Sequence, residues 1–196
     1  MISQVTAAPA FPIFATISLL LGQLANKAFV WAYDRGAIES GHYLLLLSGQ
    51  LGHTNVAHLA LNLSALWLLW LGFGHALKTR YWLLTCFISM LSVGLGLYVL
   101  NPEVERYLGF SGALHGLFVA GALAEIRRNP TLSIAILIAI AIKLIAEMRG
   151  NDMTETAALI EAPVIHFAHL YGALAGVAAW GILAVGSLFQ GRAPLS

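Results

Sequence analysis

Six stretches of mostly apolar residues, each near the length that crosses a bilayer, alternate with short segments in which the charges, prolines and asparagines collect. No other feature narrows the possible folds so far. A backbone in hydrocarbon must satisfy its own hydrogen bonds, which leaves helices and closed barrels, and runs of about 20 apolar residues suit helices. The runs predict helices over about 9–33, 56–74, 81–100, 111–126, 131–147 and 164–189. Asn101-Pro102 ends the third, and Arg127-Arg128-Asn129-Pro130 ends the fourth. A polar stretch from Arg149 to Pro163 makes one longer loop, placed on the outer side. The expected fold class is therefore all-α: a polytopic membrane protein, a six-transmembrane-helix bundle, with residues 1–196 forming one membrane domain. Only 10% of residues are charged and the mean hydropathy is +0.81, whereas soluble domains carry about 25% charged residues. No stretch is left for a soluble catalytic domain. The first run starts near Pro9 with no basic residue before it and is long, so it is expected to stay as a helix rather than serve as a cleaved signal.

Charge placement is more informative than the net charge of +1, which with no run of like charges offers nothing to nucleic acid and leaves membrane lipids as the surrounding partner. Lys78, Arg80, Arg127, Arg128 and Arg192 fall on one side of the predicted bundle; Arg35, Arg106 and Arg149 fall on the other. The positive-inside rule then puts both termini in the cytoplasm and loops bearing Asp34, Glu39, Glu103, Glu105, Asp152, Glu155 and Glu161 outside. Lys27 and Lys143 lie inside apolar runs but toward their ends, and are expected to snorkel to the interface. Cys86 is the single cysteine, so no disulfide framework forms, and packing is its expected role. His-Glu-x-x-His is absent, His42, His75 and His166 have no metal spacing, and no pair of helix-buried carboxylates suggests aspartyl chemistry. No metal or cofactor is expected.

Gly109-Phe110-Ser111-Gly112 opens the fourth predicted helix. Small residues around a serine commonly mark close helix packing. A serine at a helix N-terminus also meets free N–H groups and a dipole that favour developing negative charge, which acyl transfer requires. A serine nucleophile needs a base, and His169, in Ala168-His169-Leu170-Tyr171-Gly172, shares a helix face with Gly172 and Gly176. That glycine face would let the fourth helix approach. His58 and Asn62, four apart after His53-Thr54-Asn55, share a face of the second helix. They could be interhelical hydrogen-bonding residues, or donors to an oxyanion together with the Ser111 N–H. Three polar constellations on three helices, all at the same outer depth, point to one intramembrane site.

These elements resemble the signatures of rhomboid proteases, from about Gly49 to Gly176. The resemblance implies a rhomboid-like bundle and an intramembrane serine endopeptidase with a Ser-His dyad: Ser111 as nucleophile, His169 as base, His58 and Asn62 as oxyanion donors, and Gly109, Gly112 and Gly172 in support. It implies no carboxylate orienting His169. His115, four residues after the serine, resembles the rhombosortase subfamily; there it would lie one turn below Ser111, either supporting His169 or making a polar packing contact. Many rhomboids carry Trp-Arg where Leu44-Leu45 stands here. The subfamily resemblance implies substrates that are transmembrane or C-terminally tagged exported proteins, with a Gly-Gly pair, an apolar span and a basic end, and a location in the bacterial inner membrane with the site facing the periplasm. The alternative in the same family is an inactive relative that binds and escorts membrane segments. A small transporter would be expected to carry an internal repeat, and the sequence has none.

Overall fold

A computed structural model describes residues 8–25, 31–150 and 154–189. The described residues form nine helices and one two-stranded antiparallel pair: α1 (Ala10–Ala25), β1 (Tyr33–Asp34), α2 (Arg35–Glu39), α3 (Leu45–Ser48), α4 (Val56–Phe73), α5 (Thr79–Leu100), β2 (Arg106–Tyr107), α6 (Ser111–Glu125), α7 (Pro130–Met148), α8 (Thr154–Ile160) and α9 (His166–Phe189). By length and apolar composition α4, α5, α7 and α9 could each cross a membrane, while α1, with 16 residues, and α6, with 15, are shorter. Their outward faces carry large apolar side chains, Leu71, Leu68, Val99, Ile142 and Ile182 among them, as expected for a lipid-facing surface.

Local chemistry explains where the helices start. Asn55 is the extended N-cap of α4 and accepts from the His58 N–H at 2.8 Å. Asn129 does the same for α7, with Pro130 at its first position, where a missing N–H costs nothing. Packing then centres on α6 and α9. Each is sealed against the other by glycine: a Cβ on Gly172 would fall on the Gly112 carbonyl oxygen, and one on Gly176 on that of Gly116. Such backbone approach is what dispersion between membrane helices rewards, since lipid removes most of the hydrophobic driving force between them. α5 closes the other side of α9, and α1 is anchored to α4 and α5 by Phe11, whose ring stacks on Trp82 with centroids 5.8 Å apart.

The connections depart most from the sequence reading. The first run was expected to be helical to Tyr33, but the described helix ends at Ala25, residues 26–30 lie outside the described part, and Tyr33 and Asp34 pair with Tyr107 and Arg106 as strands. Asp34 also caps α2 by accepting from Ala37 N–H, and its carboxylate meets Arg106 at 3.3 Å. Beside it the buried Arg35 guanidinium donates to the carbonyls of Leu97, Tyr98, Asn101 and Val104, tying this loop to the C-terminal end of α5. The polar stretch before the last run contains α8, and the last helix starts at His166 rather than Val164, after Glu161 at φ 54° and Pro163. Lys27 and Arg192 lie outside the described residues. The ammonium of Lys143, whose side chain is partly exposed, pairs with the buried Glu147 carboxylate one turn along α7.

Candidate active site

Ser111 is the first residue of α6, and Phe110 before it provides no side-chain cap, which leaves the Ser111 N–H without a capping side chain, while the Gly112 N–H already faces the Tyr107 hydroxyl. The chain reaches this point through Gly109 at φ 122°, a conformation that L side chains rarely adopt, and a Cβ there would lie 2.7 Å from His58 Nε2. Gly109 thus serves both the turn and the approach of His58. Tyr107 donates its hydroxyl to the Gly109 carbonyl at 2.8 Å; burial pushes its phenol up to about 12, so it remains a neutral donor.

Across the glycine seam, His169 is buried at 5% exposure with Nε2 3.0 Å from Ser111 Oγ. His115 donates Nδ1–H to the Ser111 carbonyl at 2.7 Å and stacks on His169, with centroids 4.3 Å apart and planes at 21°. On α4, His58 and Asn62 are buried and line one cavity with Ser111 and His169. The Asn62 amide nitrogen is buried without a hydrogen-bond partner, a cost that a native fold rarely carries without compensation. His58 Nδ1 is 3.1 Å from Thr54 Oγ, whose hydroxyl lies 2.6 Å from the Ile160 carbonyl of α8. Because Thr54 donates to that carbonyl, a neutral His58 presents Nδ1–H to Thr54. His53 sits edge-on to His58 with centroids 5.0 Å apart, and burial together with its neighbour holds its imidazole down at about 3, so it is uncharged. Elsewhere, His42 Nδ1 meets the Ala37 carbonyl and His75 meets Glu125 at 3.0 Å, both away from Ser111.

The cavity holds about 380 Å³. Its walls are mostly apolar: Leu61 and Ala65 of α4, Leu114 and Phe118 of α6, Ile136 and Ile140 of α7 and Ile160 of α8. A smaller space of about 110 Å³, bounded by Thr54, Arg106 and Pro163, reaches the same serine and histidine from the loop side. The structure therefore brings together Ser111, His169, His58, Asn62, His115, Gly109, Gly112 and Gly172. It corrects one expectation: a carboxylate does contact His169. Glu147 of α7 places Oε2 2.9 Å and Oε1 3.1 Å from His169 Nδ1. In sequence it ends an apolar run beside Arg149, where an acid passes for an interfacial residue; its spacing of four from Lys143 was the available sign that it faces inward.

No curated protein matches the chain. The Rhomboid domain matches residues 40–185, well over half of the length and including every one of the residues just described around Ser111. With that match and an all-helical architecture of apolar helices, the chain belongs to the rhomboid family, multi-pass membrane proteins that are generally intramembrane serine proteases.

Proposed function

We propose that this chain is an active intramembrane serine endopeptidase of the rhombosortase type, crossing the bacterial inner membrane six times, with its termini in the cytoplasm and its site open to the periplasm. The observation that carries the reading is the 3.0 Å approach of Ser111 Oγ to His169 Nε2 at the uncapped start of a helix, in front of an apolar cavity. The six crossings include α1 and α6, whose shorter lengths suit a bilayer thinned around the protein. The lysines and arginines beside the α4–α5 and α6–α7 connections support the orientation.

In this mechanism a membrane segment, locally unwound, enters near α8 and lays its apolar side chains in the cavity between α4 and α7. Ser111 Oγ attacks the scissile carbonyl carbon as its proton passes to His169 Nε2. The oxyanion is met by the Ser111 N–H, the Asn62 amide and His58, the last either as the cation or with the Thr54 hydroxyl turned away from Ile160 to donate to Nδ1. His169 returns the proton to the leaving amine, and water from the loop side then hydrolyses the acyl enzyme. His115 supports the subfamily reading, and with it a substrate class of exported proteins ending in Gly-Gly, an apolar span and a basic end. The glycines would expose the scissile backbone to Ser111.

The test is coexpression of a tagged protein bearing such a tail with wild type or Ser111→Ala, followed by release of the tail. Release by wild type alone is expected; equal release, or none with either this tail or an ordinary transmembrane segment, overturns the protease reading. A second expected result concerns Asn62. Asn62→Ala lowers kcat by about 10²–10³-fold, as loss of one oxyanion donor does elsewhere, yet leaves thermal stability unchanged or raised, because the amide nitrogen it removes is buried without a partner. Denaturation and steady-state kinetics on purified protein in micelles decide both halves. A loss of stability that parallels the loss of rate would make Asn62 a packing residue.

A further inference from the structure

Glu147 touches the imidazole whose opposite nitrogen faces Ser111. Its side chain is 1% exposed, and an acid buried so far needs partners at close range. It has two. The Lys143 ammonium, one helical turn away, holds Oε1, and His169 Nδ1 lies within 3.1 Å of both carboxylate oxygens. The chemistry of the ring then leaves little choice. Nε2 can receive the Ser111 proton only if it is bare, so the neutral ring must carry its own proton on Nδ1. That N–H needs an acceptor. Lys143 Nζ, 3.4 Å from Nδ1, has only protons to offer, and His115 covers the face of the ring rather than its edge. The carboxylate is the acceptor in reach.

We propose that Glu147 is a positioning residue that fixes the tautomer and orientation of His169, completing a serine–histidine–glutamate arrangement in which Lys143 clamps the carboxylate. The proposal rests on the protease reading for its consequence in rate but not for its geometry. During attack the Ser111 Oγ–H bond breaks as the bond from Oγ to the carbonyl carbon forms, and the proton goes to Nε2. The resulting imidazolium keeps Nδ1–H donated to Glu147, which stays ionised and takes no proton; the Nε2 proton leaves with the amine. Glu147 thereby stabilises the charge that appears on His169 only after the serine has given up its proton. A carboxylate that served the α7 helix alone, through Lys143, would have no reason to present both oxygens to a histidine of α9.

Two measurements test it. In protein labelled with ¹⁵N-histidine and held in micelles, the His169 ring, assigned by its loss in His169→Ala, should show a protonated Nδ1 whose proton is strongly deshielded, and a bare Nε2 whose nitrogen resonates downfield of Nδ1. A bare Nδ1 in the wild type overturns the proposal, whatever any variant does. In Glu147→Gln the side-chain NH₂ can donate to Nδ1 and favour the wrong tautomer, so kcat should fall by at least about 10²-fold, toward the roughly 10⁴-fold that loss of such a carboxylate costs in other serine proteases, while KM stays near the wild-type value. Glu147→Asp should recover part of that loss. A Glu147→Gln enzyme with wild-type kcat, or one that loses only KM, overturns the assignment. Failure of the protease reading is separately visible: wild type and Ser111→Ala would then release equally little tail, while the ring spectrum still decides whether Glu147 holds His169.

Discussion

On the proposed mechanism His169→Ala should lower kcat for tail cleavage by about 10⁶-fold, Ser111→Ala should lower it by as much, and the double substitution should lower it no further. A serine hydroxyl is almost wholly protonated at neutral pH and attacks a peptide carbonyl only when a base takes its proton in the same step. His169 Nε2, 3.0 Å from Ser111 Oγ, is the base within reach, and the two side chains act through that one contact. Once either is gone the other has nothing to act on, so the losses cannot add. The rate expected to survive would come from substrate held in the cavity and from the proposed oxyanion donors of α4 and α6, which neither substitution removes. Active-site labelling by a fluorophosphonate should disappear in both single variants, because it needs the same activated oxygen. Single-turnover cleavage in micelles measures the rates. A double variant much slower than either single, or a His169→Ala enzyme within about tenfold of wild type, would mean that another group activates the serine.

The apolar runs made most of the fold legible. Predicted bounds for α4 to α7 lie within two residues of those observed, since each run ends where asparagine, proline or charge makes continued helix unfavourable. Segments outside the runs were not legible, and for a physical reason. β1 and β2 are two residues each, paired across more than seventy positions of sequence, and Arg35 folds its loop by donating to carbonyls at the end of a different helix. No local pattern encodes such partners. The same distinction holds in the site. Ser111, His169, His58 and Asn62 could be grouped because each sits on a helix whose face and depth follow from counting residues. Glu147 could not, because whether an acid near a helix end turns to water or inward depends on which helix lies beside it, here α9 with His169. The pairing of Lys143 with Glu147 was not read from the sequence for the same reason.

Gly172→Ala should unfold the bundle at lower temperature, by about 3 kcal/mol or more in stability, while Gly181→Ala in the same helix should be neutral or raise stability by up to about 1 kcal/mol. On propensity alone both changes favour helix, since alanine loses less backbone freedom than glycine on folding. Their surroundings differ. A Cβ at Gly181 meets nothing within 4 Å, whereas one at Gly172 falls on the carbonyl oxygen of Gly112, a backbone atom that cannot swing aside as a side-chain tip could. Relief requires α6 and α9 to separate, and the separation is felt along the whole seam, because Gly176 meets the Gly116 carbonyl and Gly112 already faces Ala168 O at a would-be Cβ distance of 2.9 Å. Separation also lengthens the contact between Ser111, which starts α6, and His169, one turn before Gly172. Gly172→Ala should therefore lose turnover in excess of its loss of folded protein, since a displacement of about 1 Å in a reacting pair can cost about 10²-fold in rate. Thermal melts in micelles, with turnover normalised to the folded fraction, separate the two effects. Equal melting of the two variants would show that the α6–α9 seam yields to a methyl group and that the glycine face is not what brings serine and histidine together.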